Sequence, residues 1–127
     1  MVIDCRNRSE ITPDDITGIT PGCAVLFRTD NENLSREKVS DSWVGLSVDA
    51  AHRLTESQVS LVGIDYLSID GADMPDLPAH HVLLGNDVLI LEDVCLDEVE
   101  AGWYQLTCLP PRIMGADGSP CRAVLTR

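Results

Sequence analysis

The side chains able to do chemistry in this chain are few and loosely spaced. Its three histidines are His52, His80 and His81, and none stands in an H-x-x-x-H arrangement with an aspartate two residues on. Cys5, Cys23, Cys95, Cys108 and Cys121 include no C-x-x-C pair, so spacing points to neither a zinc knuckle nor a redox motif. They read as small buried hydrophobes in a reducing compartment. Asp65, Ser68 and Asp70 lie where the chain leaves an apolar run, a common place for site residues, although turn-stabilising hydrogen bonds use the same residue types. Gly115 to Pro120 lacks the Gly-x-x-x-x-Gly-Lys pattern of a phosphate loop and predicts a tight hairpin-like connection. No Ser-His-Asp constellation stands out.

The elements that must position these groups follow from apolar patterning. Short strands are expected at Val2 to Arg6, Cys23 to Arg28, Val59 to Ile64, Val88 to Leu91, Trp103 to Leu109 and Arg122 to Thr126, most of them compact apolar runs between turn residues. The run at Val88 to Leu91 reads as buried. Ser47 suits the N-cap of a helix to about Ser57, with Val48, Ala51 and Leu54 on one side and Asp49, Arg53 and Glu56 on the other. Pro78 suits a first helical position, so a second helix is expected over Ala79 to Leu84 with His80 in its first turn. Brief helical turns are expected after Thr12 and around Leu96 to Glu100. Strands alternating with short helices imply an α/β fold with a mostly buried sheet.

A length of 127 residues and 44% apolar content fit one folded domain with a real core. With 21 acidic against 9 basic residues, the net charge of -12 opposes nucleic acid and anionic membranes as partners. The first residues lack the basic and apolar regions of a signal peptide, and no apolar run is long enough to span a bilayer, so a cytoplasmic location is expected.

Three stretches in order, Leu61 to Asp70, His80 to Leu84 with Glu92, and Gly115 to Ala123, together with Leu26-Phe27-Arg28-Thr29 upstream, resemble the second half of bacterial kynurenine formamidases, isatin hydrolases and related cyclases. The resemblance implies a swivelling β/β/α cyclase-like fold, truncated here at the N-terminus. It further implies dimers or larger oligomers and a zinc- or manganese-type centre that activates water for amide hydrolysis. The family's H-x-G-T-H-x-D signature, which supplies metal ligands, is absent from these residues, as is its neighbouring catalytic histidine.

By position, His80 and Glu92 match the histidine and glutamate that complete the family's metal centre, and both types suit a borderline divalent cation. Zinc or manganese, weakly held or absent, is the cofactor expectation. His81 has no role to transfer. Trp43 and Trp103 read as core or interface residues, though an aromatic pocket wall would suit a small aryl amide ligand. The resemblance thus implies an amide-hydrolase relative with an incomplete metal site and weak or no activity alone. The alternative is a non-catalytic binding or scaffold protein, or one half of a split hydrolase. Apolar surface uncovered by missing strands would favour a homo-oligomer.

Overall fold

A computed structural model describes all residues, Met1–Arg127. Strands β1 (Val2–Asp4), β2 (Ala24–Arg28), β3 (Leu61–Ile64) and β4 (Leu89–Leu91) form one parallel sheet in the order β1-β2-β3-β4. Helix α1 (Val48–Glu56) lies in the crossover from β2 to β3 and α2 (Pro78–Leu84) in that from β3 to β4, while β1 reaches β2 through a loop with a single 3₁₀ turn. The remaining strands, β5 (Gln105–Leu109) and β6 (Arg122–Thr126), pair antiparallel as a separate ribbon.

Side-chain alternation sorts these elements into three layers. Val25, Phe27, Val62 and Ile64 join Ala50, Ala51 and Leu54 of α1 and Ala79 and Leu83 of α2 in the larger core. On the other face Val2, Leu26, Leu61, Leu91 and Leu96 meet Leu106, Ala123 and Leu125 of the ribbon. Ribbon, parallel sheet and helices therefore stack as the β/β/α order expected from the sequence. No helix is long and apolar enough to cross a membrane.

Local sequence accounts for most boundaries. The Ser47 hydroxyl accepts from Ala50 N–H at 3.1 Å and starts α1. Thr12 and Asp15 close a capping box around the 3₁₀ turn Pro13–Asp15. Residues 44 to 46 tie two distant loops together. Ile11 N–H donates to the Gly45 carbonyl at 2.9 Å, and Leu46 N–H donates to the Ile69 carbonyl at 2.8 Å. That lacing brings Gly45 so close to residues 70 and 71 that a β-carbon on it would lie 2.3 Å from Gly71 N and 2.7 Å from the Asp70 carbonyl carbon.

Three expectations change. Strand β4 is an edge strand, and with nothing beyond it Leu89 is 62% exposed. The segment after it keeps the brief turn expected around Leu96 to Glu100 as one hydrogen-bonded turn, Val99 N–H donating to the Leu96 carbonyl at 2.9 Å, and the Arg28 guanidinium donates to the Asp97 and Val99 carbonyls. Of the cysteines only Cys5 is buried, its thiol pushed up to about 12 by burial; Cys95 is exposed. The connection between β5 and β6 is not the tight one expected: it starts at Pro110, reaches β6 only at Arg122, and leaves Ile113 and Met114 exposed.

Candidate metal-ligand pair at the strand ends

The C-terminal ends of parallel strands are where α/β folds place their ligands, since the loops there can converge without disturbing the sheet. Here β3 runs into the long loop that carries Asp65 to Leu77, and β4 ends directly before Glu92. Helix α2 begins at the same end, which sets His80 beside both.

The start of α2 has no local cap. Leu77 occupies the cap position with φ 50° and ψ 52° and offers no side-chain acceptor. Asp70 supplies it from the preceding loop: one carboxylate oxygen accepts from Ala79 N–H at 2.7 Å and the other from His80 N–H at 3.1 Å. The second oxygen also lies 2.6 Å from His80 Nδ1. Asp70 is itself fully buried, and Trp43 Nε1–H donates to its carbonyl at 2.7 Å. One carboxylate thus starts the helix and orients the imidazole. Asp70→Ala should lower stability by about 2–4 kcal/mol, the sum of a lost cap and buried N–H groups left without an acceptor. Denaturant unfolding with an unchanged m-value would show it, and a loss under 1 kcal/mol would contradict this account.

Because Asp70 can only accept, Nδ1 must donate, and the other ring nitrogen of a neutral His80 then presents a lone pair. That nitrogen faces Glu92 Oε1 at 3.2 Å, while the same oxygen accepts from Ile69 N–H at 2.9 Å. Two acceptors at this separation repel unless a proton or cation lies between them. An ion bound at about 2.0–2.2 Å by each would bring two ligand atoms to about this distance. The side chains of His80 and Glu92 are 22% and 31% exposed, so the pair opens to solvent. The donor set fits a borderline divalent cation as far as it goes, but two ligands are half of what zinc ordinarily takes. No group of three His, Cys, Asp or Glu side chains is arranged to hold an ion.

The other sequence candidates lie elsewhere or are already engaged. His52 and His81 are exposed on their helices. Asp65 is buried, accepting from Thr29 N–H at 2.6 Å and from the Thr29 hydroxyl at 2.7 Å, and burial pushes its carboxyl above the usual range. Asp73 is exposed beside a small cavity of about 230 Å³ shared with Ser9, Glu10 and Trp43. Trp43 packs on Tyr66 with ring centroids 5.3 Å apart, and Trp103 is exposed. Sequence reasoning missed the capping and orienting role of Asp70. The available signal was a helix opening Leu-Pro, with no Ser, Thr, Asp or Asn at its cap position.

Residues 1–71 match the family described as "Putative cyclase". The kynurenine formamidase of Salinibacter ruber is 39% identical over 127 residues, which cover 98% of this chain and 60% of that protein. Cyclase-like protein 1 of Arabidopsis thaliana is 39% identical over 109 residues, covering 81% of this chain and 42% of the other. Among solved structures, a potential metal-dependent hydrolase with cyclase activity superposes with TM-score 0.85 at 32% identity, covering 98% of this chain and 62% of that one. An isatin hydrolase bound to the product analogue thioisatinate gives TM-score 0.82 at 25% identity, covering 96% and 56%. The chain therefore spans between two-fifths and three-fifths of the length of these proteins.

Proposed function

This chain belongs to the cyclase family, and from that premise we propose that His80 and Glu92 are two ligands of a divalent-metal site, of zinc or manganese type, for hydrolysing an N-formyl or cyclic aryl amide. The observation that carries the reading is the 3.2 Å approach of His80 Nε2 to Glu92 Oε1, with Nδ1 held by buried Asp70. A histidine ligand whose other nitrogen is tied to a carboxylate is a recurrent arrangement at metal sites, because it fixes tautomer and ring direction. The substrate class is taken from the similar proteins named kynurenine formamidase and isatin hydrolase.

A divalent cation, when bound, supplies Lewis acidity that acidifies water and polarises the scissile carbonyl. The residues of this chain hold and orient. Asp70 fixes the direction of the imidazole through Nδ1 and leaves Nε2 aimed outward, and the Ile69 N–H directs one Glu92 oxygen toward it. About three protein ligands with an open position are needed for useful water activation, and this pair provides two. The 127 residues alone are therefore expected to hydrolyse N-formylkynurenine, isatin or formanilides little above background.

Titration with Zn²⁺ followed by imidazole ¹⁵N NMR tests the ligand assignment apart from turnover. Nε2 of His80 should shift, His80→Ala should abolish the response, and Asp70→Asn should weaken binding by about 10–100-fold. Shifts confined to His52 or His81 would overturn the assignment. Metal-dependent turnover well above background, lost in His80→Ala, would show that these residues complete a site among themselves.

A further inference from the structure

The cysteines, which have no motif in sequence, include a pair brought together by strand register. In the ribbon Cys108 stands opposite Ala123 and Leu109 opposite Arg122, which places Cys121 just past the last registered pair. Strand alternation turns both cysteines to the side of the ribbon that faces the sheet, with Leu106, Ala123 and Leu125. Their sulfurs lie 3.4 Å apart although the residues are thirteen positions apart in the chain. Both are partly exposed, and both line the open cleft of about 1200 Å³ between ribbon and sheet, so a small reagent can reach them. Burial, together with the neighbouring Cys121 thiol, pushes the Cys108 thiol up.

We propose that Cys108 and Cys121 are a reversible dithiol–disulfide site, oxidised by exchange with a low-molecular-weight disulfide. One protein thiolate attacks a sulfur of the small disulfide, forming a mixed disulfide and expelling one small thiolate. The second protein thiolate then attacks the protein sulfur of that mixed disulfide and expels the other small thiolate. Two protein thiols and one small disulfide thus become one protein disulfide and two small thiols, the protein sulfurs losing the two electrons that the small disulfide gains. The new bond closes the base of the connection that carries Arg112, Ile113 and Met114 and staples one rim of the cleft. Cys95 also lines the cleft, and Cys5 is enclosed in the helix-side core.

The full chain, reduced and freed of reductant, is incubated with oxidised glutathione, quenched with N-ethylmaleimide and mapped by peptide mass spectrometry. The expected product is a monomer on a non-reducing gel, lighter by two hydrogens, with one cross-link joining the Cys108 and Cys121 peptides. Trypsin cleavage after Arg112 should leave its fragments joined until reductant is added. The link should persist in Cys95→Ser and vanish in Cys121→Ser. Full maleimide labelling of both residues after oxidant, stable glutathione adducts on each, or disulfides between chains would each overturn the proposal. These outcomes are read from the unsubstituted protein, so they hold even if Cys121→Ser folds poorly.

Discussion

Gly45→Val is expected to lower stability by about 3 kcal/mol or more, at or beyond the upper end of what overpacking usually costs. The neighbours are main chain. A β-carbon at residue 45 would meet Gly71 N at 2.3 Å, Gly71 Cα at 2.6 Å and the Asp70 carbonyl carbon at 2.7 Å. No rotamer change relieves that contact, because residues 44 to 46 are bonded to Ile11 on one side and Ile69 on the other. Displacing Asp70 also withdraws the acceptor from the first turn of α2 and from His80, so structure and site should fail together. Gly118→Ala is the control: nothing lies within 4 Å of its added carbon, and its effect should stay within about 0.5 kcal/mol. Denaturant unfolding of both variants decides the matter. A Gly45→Val protein as stable as its parent would mean that the loops do not approach so closely.

Thr29→Val should cost about 1.5–3 kcal/mol at neutral pH, the usual range for a hydrogen bond to a charged group. The Thr29 hydroxyl donates to buried Asp65 at 2.7 Å and also accepts from Asn31 N–H at 3.0 Å, so valine removes two bonds while nearly keeping shape. Burial already raises the Asp65 carboxyl above its value in the unfolded chain. A raised acid contributes its stability fully below the unfolded pKa and loses it as pH climbs through the folded one. Removing a donor raises the folded pKa further and enlarges that loss. The penalty should therefore be smaller near pH 4 than at pH 7, and Thr29→Ser, which retains the hydroxyl, should stay close to the parent. A penalty that grew on acidification would reverse the assigned sign.

Much of the architecture was legible because local signals agreed with the fold. Ser47 does cap α1, Pro78 does open α2, and the runs at Ala24 and Leu61 are strands buried on both faces. What escaped was set by contacts distant in sequence. Arg28 of β2 donates to the Asp97 and Val99 carbonyls, a tie across some seventy residues that no local pattern marks. The exposure of Leu89 depends on which strand ends up at the sheet edge, and the run Val88 to Leu91 carries no mark of that position. At the candidate site His80 and Glu92 came from resemblance. Asp70 could not be singled out, because an aspartate leaving a strand looks the same whether it stabilises its own turn or caps a helix nine residues on. The meeting of Cys108 with Cys121 likewise follows from register across a long connection, which spacing in sequence does not encode.

The separation of the β5–β6 ribbon from the parallel sheet has a kinetic consequence. Val2 meets Leu26, Ala24 meets Leu61 and Leu61 meets Leu89, so each sheet pairing must wait for a long crossover to close, whereas the ribbon joins neighbours across one connection. Pairings between distant residues form slowly because the entropy of closing the intervening chain is lost before their contacts are gained. The face on which the ribbon lands does not exist until those crossovers are made, so docking comes late. Substitutions that loosen the ribbon should accordingly hasten unfolding and leave the folding rate nearly untouched, while those in α1 or the crossover cores should slow folding itself.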